Sequence, residues 1–183
     1  AVFAVSSCKK DKNTTTTTPY YPTDSLAAYF GFENNNINDA LGNVSSGTNY
    51  HSATFGTGVH GNAITFNGVD QYLDYTTAPV SSGNGMSFSV WLKSDTTNST
   101  SFFLYTPMYA LFTDNNSTGM AVSIPSTNSA LGNFHSQQWT HLAGTYDGTN
   151  IKVYINGALA QTVNWPSTIS NYNGTLTLAK FNT

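Results

Sequence analysis

The sequence contains no arginine, one glutamate and one cysteine among its 183 residues. Charged residues make up 8% of the chain, whereas they make up roughly 25% of an average soluble protein. The formal net charge is −3, and nucleic-acid binding needs clusters of Lys and Arg that displace counterions, so this class of function is disfavoured. The absence of arginine also removes the best bidentate receptor for phosphate and carboxylate ligands.

The polarity comes instead from Asn, Ser and Thr, which favour hydrogen-bonding turns between short strands. No amphipathic helical pattern of useful length is present. Alternating or apolar runs recur with turn residues between them, which is typical of a β-sandwich or jelly roll. The predicted strands are Leu26–Phe32, Ala63–Phe66, Tyr72–Tyr75, Met86–Lys93, Phe102–Leu104, Tyr109–Phe112, Met120–Ile124, Trp139–Tyr146, Ile151–Ile155, Leu159–Val163 and Thr175–Ala179.

Dipeptides ending in glycine separate several of these runs. Asn156-Gly157 and Asp147-Gly148 supply the positive φ angles that tight hairpins require. Asn67-Gly68 also lies between two apolar runs, so we expect a third hairpin there. In the strand Met86–Lys93, period-two alternation places four apolar residues on one face and Ser, Ser, Trp and Lys on the other.

The N-terminal region contains the only cysteine, Cys8. An apolar run followed by Val5-Ser6-Ser7-Cys8 resembles the end of a lipoprotein signal peptide with its lipobox, in which the cysteine sulfur receives a diacylglycerol. The Lys-Lys-Asp-Lys run that follows is similar to the export tags of Bacteroidetes surface lipoproteins. The alternative is a buried or incidental cysteine. No apolar stretch approaches the ~20 residues that span a bilayer, so the resemblance implies a cell-surface or outer-membrane protein attached by lipid alone.

The chain divides by composition into three segments. Residues 1–8 are the end of the predicted signal peptide, and residues 9–23 are a Thr-rich linker whose prolines enforce extended backbone. Residues 24–183 form the predicted β-sandwich domain.

Four blocks of this domain together resemble the laminin-G-like, concanavalin A-like superfamily. They are Leu26–Glu33 with Asn38–Asn43, Gly61–Leu73, Phe88–Lys93, and Trp139–Gly148 with Val153–Gly157. The resemblance implies an all-β, antiparallel jelly-roll sandwich. In the family, a closing strand with an Asp-Glu pair follows the strand that corresponds to residues 176–178, so we expect the sandwich to be short of its last strand, with an exposed edge.

The superfamily includes laminarinase-type glycosidases, which use two carboxylates that flank the scissile bond. Asp70 and Asp74 are the nearest-spaced acidic pair in the domain, but in a strand they would be about 13 Å apart, beyond the ~5–9.5 Å that either mechanism uses. No nucleophile elbow or Cys/His pair is present. We therefore expect a non-enzymatic, binding domain.

Two kinds of partner remain open: a carbohydrate, or a cell-surface or extracellular protein in an adhesion or spacer role. Sugars bind through aromatic rings and amide or hydroxyl groups on loops over a rigid sandwich. The candidate ligand-binding residues are Trp165, Tyr105, Tyr109, Tyr72, Asn115, Asn116 and Asn171. Any one of these aromatic residues could instead cap the core. We interpret Trp91 and Trp139 as packing or edge residues and His141 as a hydrogen-bonded core histidine.

The resemblance also implies a structural Ca²⁺ near the first loop. Asp39, with backbone oxygens of Gly42 and Asn43, would supply its ligands. The alternative is that Asp39 caps the turn by hydrogen-bonding its own backbone.

Overall fold

A computed structural model describes residues 25–80, 82–95, 100–122, 129–135, 137–169 and 174–181. Cys8, the signal-peptide and linker segments, and Asn171 lie outside the described residues. The predictions for them therefore remain predictions.

The described residues form antiparallel sheets arranged as a sandwich. The strands are β1 Thr48–Tyr50, β2 Thr54–Thr57, β3 Asn62–Thr65, β4 Tyr72–Tyr75, β5 Met86–Leu92, β6 Ser101–Tyr105, β7 Tyr109–Asp114, β8 Ser117–Val122, β9 Ser129–Asn133, β10 Thr140–Tyr146, β11 Asn150–Ile155, β12 Ala158–Asn164 and β13 Leu176–Phe181, and a short 3₁₀ helix covers Glu33–Asn35. One sheet has seven strands in the order β1-β4-β13-β6-β7-β8-β9, one has four in the order β12-β11-β10-β5, and β2 and β3 pair separately. This confirms the predicted all-β antiparallel fold.

The core lies between the two larger sheets because their strands alternate. In β10 every second residue from Thr140 to Tyr146 is buried, and the residues between them are half-buried. In β5, Met86, Val90 and Leu92 are likewise buried on the inner face. Burial of such side chains contributes roughly 1.5–3 kcal/mol each, so these two faces anchor the sandwich.

The hairpin turns follow the glycine dipeptides in two cases. Asn156 and Gly157 have φ angles of 50° and 84° and join β11 to β12, as predicted. Asp147-Gly148 joins β10 to β11.

The predicted hairpin at Asn67-Gly68 is wrong. β3 pairs with β2, whereas β4 pairs with β1 and β13. The chain does turn there, because Asn67 Oδ1 accepts hydrogen bonds from the backbone N–H groups of Val69 and Asp70 at 2.9 and 3.2 Å. A local turn is thus encoded, but the strands on either side pair with other strands.

The first predicted strand, Leu26–Phe32, is also not a strand. Its aromatic residues still enter the core, since Phe30 and Phe32 are buried. Its backbone is held by a side chain instead of a neighbouring strand, because Tyr29 N–H donates to Asp39 Oδ1 at 2.7 Å.

The sequence analysis did not predict three short strands, β1, β2 and β9. Each is short and has no buried run of apolar side chains that would mark it in the sequence. Within the described ranges, no helix has the length and apolar character needed to cross a membrane.

Candidate functional site

The outer face of the four-stranded sheet carries an unusual concentration of rings. On β5 it presents Ser89 and Trp91, and on β10 it presents His141, which lies directly opposite Trp91. The rings of Trp91 and His141 have centroids 5.1 Å apart. Both side chains are half-buried, and Trp91 is outside the core cluster. The alternation of β5 therefore places a tryptophan on the polar face, where it can contact a ligand.

His141 is fixed in place by its neighbours. Its Nε2 lies 2.7 Å from the Ser89 hydroxyl, and its backbone N–H donates to Asn156 Oδ1 at 2.9 Å. Burial lowers the pKa of His141 below its ordinary value, so the imidazole is neutral at pH 7 and can both donate and accept. It is hydrogen-bonded as expected, but it faces outward and is not a core residue.

A second tryptophan lies at the end of this sheet. Trp139 directly precedes β10, two residues before His141, and is half-buried. The ammonium of Lys93 lies 6.0 Å from the centre of its ring. On the other side, Tyr154 of β11 lies opposite Ala143, which lies opposite Ser89. Because the Ala143 side chain is small, it leaves a shallow depression between the larger side chains around it.

A cavity of about 910 Å³ adjoins this face. Its polar lining includes Ser87, Ser89, His141 and Thr145 of the outer face, Asp147 directly after β10, and also Ser25 and Asn84. Residues 25–30 line its opposite side. Its volume is within the range of about 300–1,000 Å³ that is usual for small-molecule sites, so it could hold a ligand of a few sugar rings.

Charge is nearly absent from this cavity. Among its described lining residues Asp147 is the only one with a formal charge at pH 7. Backbone N–H groups of Asn150 and Thr149 donate to this carboxylate and lower its pKa. The polar part of the cavity thus offers hydroxyls, an amide, an imidazole and one carboxylate, which suit the hydroxyl groups of a neutral ligand.

The cavity also extends around the outer edge of β5. That edge has no partner among the described strands, and beyond it Phe88, Leu104 and Leu111 line the cavity from the interior of the sandwich. The site is therefore polar on the sheet face and apolar where it reaches the gap between the sheets.

The structure packs two of the predicted aromatic residues against the core. Trp165 does not stand free in its loop but packs against the core, and its indole N–H is buried without a hydrogen-bond partner among the described residues. Tyr109 is fully buried, and its hydroxyl donates to the Val80 carbonyl at 3.0 Å. Tyr109 therefore offers no face for stacking, and Trp165 is half-buried with its ring packed on the core.

The other predicted binding residues are not brought together at one site. Tyr105 and Tyr72 lie on β6 and β4 of the seven-stranded sheet and are half-buried. Asn115 and Asn116 form the exposed turn between β7 and β8, with φ angles of 44° and 66°. None of these four residues lines the cavity beside β5.

The first loop does not fit a calcium ion at Asp39. Asp39 is buried, and its carboxylate accepts four backbone N–H bonds of 2.7–3.1 Å, from Tyr29, Leu41, Asn43 and Val44. A carboxylate has about four lone-pair positions, so none remains for a metal. No group of three or more His, Cys, Asp or Glu side chains suited to a metal occurs among the described residues. The geometry supports the alternative, in which Asp39 caps the loop, with Gly42 at φ 72° completing the turn.

Sequence reasoning did not include Trp91, Trp139 and Tyr154 among the candidate binding residues. The alternation of Met86–Lys93 did place Trp91 on the polar face, and a large aromatic residue on a polar face was the available indication. The pairing of β5 with β10 was not visible in the sequence.

Comparison with known proteins places this geometry in context. A sequence model described as the concanavalin A-like lectin/glucanases superfamily, of the Laminin_G_3 type, matches residues 67–180. That match spans well over half of the chain. No curated protein sequence matches it.

Solved structures share the fold. Domain 4 of AbnA, an extracellular arabinanase from Geobacillus stearothermophilus solved with arabinotriose, is 24% identical with a TM-score of 0.67, and the alignment covers 84% of this chain and 82% of that one. The binding domain of Paraclostridial Mosquitocidal Protein 1 is 14% identical with a TM-score of 0.74, covering 87% and 45%. A botulinum neurotoxin type C structure concerned with two ganglioside molecules is 15% identical with a TM-score of 0.65, covering 80% and 40%. The chain thus spans less than half of the two toxin chains.

Proposed function

This chain belongs to the concanavalin A-like lectin/glucanase superfamily, and from that premise we propose that it is a non-catalytic carbohydrate-binding module. The observation that carries the proposal is the outer face of the four-stranded sheet. There Trp91 lies opposite His141 and Tyr154 lies opposite Ala143, and His141 and Ala143 line a nearly uncharged cavity. Fold alone cannot assign function. The chemistry of this face is therefore what favours a sugar.

Each part of the face suits a sugar. The flat indole of Trp91 can pack against the C–H face of a pyranose or furanose ring, because a large aromatic ring gives much contact area at low entropic cost. Ser89 and the neutral His141 offer a donor and acceptors for the hydroxyl groups. The arabinanase domain named above was solved with arabinotriose, which makes neutral oligosaccharides the first ligands to test.

The number and position of the carboxylates agree with a binding role and not with a hydrolytic one. Glycoside hydrolysis uses two carboxyl groups about 5–9.5 Å apart, and the described lining of the cavity contains Asp147 alone. Glu33 accepts a hydrogen bond from Asn62 N–H at 3.3 Å and does not line the cavity.

The experiment is a screen of immobilised neutral glycans with the wild-type protein, Trp91→Ala and Trp91→Phe. We expect one glycan class to bind and the alanine variant to lose at least about tenfold in affinity, as for a central aromatic contact. The phenylalanine variant should recover part of the loss because it restores a ring. Equal binding by all three proteins would refute this site.

A protein partner is the second candidate, favoured by strand β12. This strand ends the four-stranded sheet, most of its residues are exposed, and Leu159 is 56% exposed beside Tyr154. An adhesion role predicts that Leu159→Ala weakens a protein contact and leaves glycan binding unchanged.

We further propose that the protein is held at the cell surface through a lipid on Cys8. The support is the resemblance of Val5–Cys8 to a lipobox and the linker-like composition of residues 9–23. Labelled palmitate should be incorporated by the wild-type protein in bacteria and not by Cys8→Ala. Equal labelling of both would refute the anchor.

A further inference from the structure

A second cluster of exposed rings lies on the other sheet. Tyr50 of β1 and Tyr72 of β4 are directly opposite each other, and their rings stack with centroids 4.5 Å apart at 13°. The neighbouring Leu73 and Tyr75 are buried, so alternation points Tyr72 to the outside of the sandwich. Tyr50 is 40% exposed, and Val69 nearby in the chain is 70% exposed.

The turn that follows Tyr50 is rigidly defined. His51 and Ser52 have φ angles of 57° and 58°, in a region that non-glycine residues rarely adopt. The side-chain amide of Gln71 donates to both of their carbonyls, at 2.9 and 3.2 Å. Asn49 holds the turn from the other side, by donating to and accepting from the backbone of Ala53 at 2.9 Å.

This turn places two polar side chains next to the tyrosines. His51 Nδ1 lies 3.4 Å from Asp70 Oδ2, and the two side chains are 55% and 51% exposed. The His51 ring lies 6.5 Å from that of Tyr72. Asp70 Oδ1 also accepts from Asn67 Nδ2 at 2.8 Å. Since a carboxylate has about four lone-pair positions, Asp70 retains acceptor capacity towards solvent.

We propose that Tyr50, Tyr72, His51 and Asp70 form a second sugar-binding site, which takes one residue of a neutral glycan. The sugar would pack its C–H face on the tyrosine pair and donate hydroxyl protons to Asp70. Exposed apolar area surrounded by polar groups marks an interaction site. The local network fixes the turn before any ligand arrives, which reduces the entropy lost on binding.

The two sites lie on different sheets, so one domain could contact two segments of the same polysaccharide. Their combination would raise the apparent affinity without any new contact. The second site takes its ligand class from the proposed function, but it uses other residues. Either site can therefore fail in an experiment while the other remains.

The test is a nuclear magnetic resonance titration of the protein with arabinotriose, xylotriose, cellotriose and laminaritriose. We expect the backbone amides of residues 50–52 and 71–72 to shift in the wild type and in Trp91→Ala. They should not shift in Tyr50→Ala, and they should shift in Tyr50→Phe, which keeps the ring. If amides near Trp91 shift but those of residues 50–52 and 71–72 shift with none of the four trisaccharides, the second site alone is refuted.

A second measurement uses a polysaccharide whose trisaccharide gives shifts. On that immobilised polymer, Tyr50→Ala should bind at least about tenfold more weakly than the wild type, because avidity is lost, while binding of the trisaccharide near Trp91 is unchanged. The proposal would be overturned if the amides of residues 50–52 and 71–72 still shift in Tyr50→Ala. It would also be overturned if Tyr50→Ala binds the immobilised polysaccharide as tightly as the wild type does.

Discussion

The first loop and the outer face of the four-stranded sheet use polar groups in opposite ways. In the first loop the Asp39 carboxylate has every lone-pair position engaged by backbone N–H groups. On the sheet face Trp91 and His141 are half-buried, and the Ser89–His141 hydrogen bond leaves hydroxyl and imidazole capacity open to the cavity. A saturated polar group stabilises the fold, whereas an unsaturated one beside a cavity is available to a ligand.

This difference also separates the residues that mark the family in the sequence from the residues that we propose bind a ligand. The Asp-x-x-Gly-Asn sequence of residues 39–43 is more conspicuous than any single residue of β5 or β10. The Asp39 side chain of this motif, however, stabilises the backbone of the loop. The proposed binding residues lie on strands whose sequence alternates in an ordinary way.

The largest effect that would test this contrast is expected from Asp39→Ala. The change leaves four backbone N–H groups without their acceptor, and an unsatisfied buried donor costs about 1–3 kcal/mol. We expect a loss of about 3–5 kcal/mol in the free energy of unfolding, measured by urea denaturation. Asp39→Asn, which keeps one acceptor oxygen, should lose less. A loss under about 1 kcal/mol would show that the loop does not depend on this side chain.

The reverse pattern is expected for Trp139→Ala on the outer face. Trp139 is half-buried and outside the core cluster, so the free energy of unfolding should change by less than about 1.5 kcal/mol. Glycan affinity should fall by about threefold to tenfold, because Trp139 lies beside Lys93 at the end of the β5–β10 pair that carries Trp91. Trp165→Ala is the matched control: it removes a ring packed on the core, and it should destabilise the protein more than it weakens binding. The opposite ranking would contradict the assignment of the two tryptophans.

A smaller effect is expected from pH. Burial lowers the pKa of His141, so the unfolded chain binds a proton at a higher pH than the folded chain does. This contribution to stability is present above the unfolded pKa of about 6.5, and it decreases as the pH falls below that value. The decrease in the urea midpoint between pH 7.5 and 5.5 should therefore be smaller in His141→Gln. An identical decrease in the urea midpoint of both proteins would show that His141 does not cause it.

The smallest effect is expected from calcium. Because the Asp39 carboxylate is fully engaged by backbone donors, neither excess Ca²⁺ nor a chelator should move the melting temperature of the wild-type protein. A rise of several degrees with Ca²⁺ would contradict our interpretation of the first loop. Repeating the measurement with Asp39→Asn would then show whether this residue binds the ion.

Much of the fold could be predicted from the sequence because its local rules are strong. The alternation of β5, β10 and β11 and the Asn156-Gly157 turn each specify their own geometry within a few residues. The errors arose where the outcome depended on distant partners. Asn67-Gly68 encodes a turn, but β3 and β4 pair with different strands, and nothing in the turn itself expresses that choice.

The candidate site shows the same division. Sequence by itself determined that the chain is an all-β sandwich poor in charge, and that Trp91 lies on the polar face of its strand, since alternation is a property of the extended backbone. Only the tertiary structure decided where each aromatic residue packs. Sheet order brought Trp91 opposite His141, and Trp165 and Tyr109 packed on the core. Exposure depends on what lies across the layer, and that is a property of the whole fold.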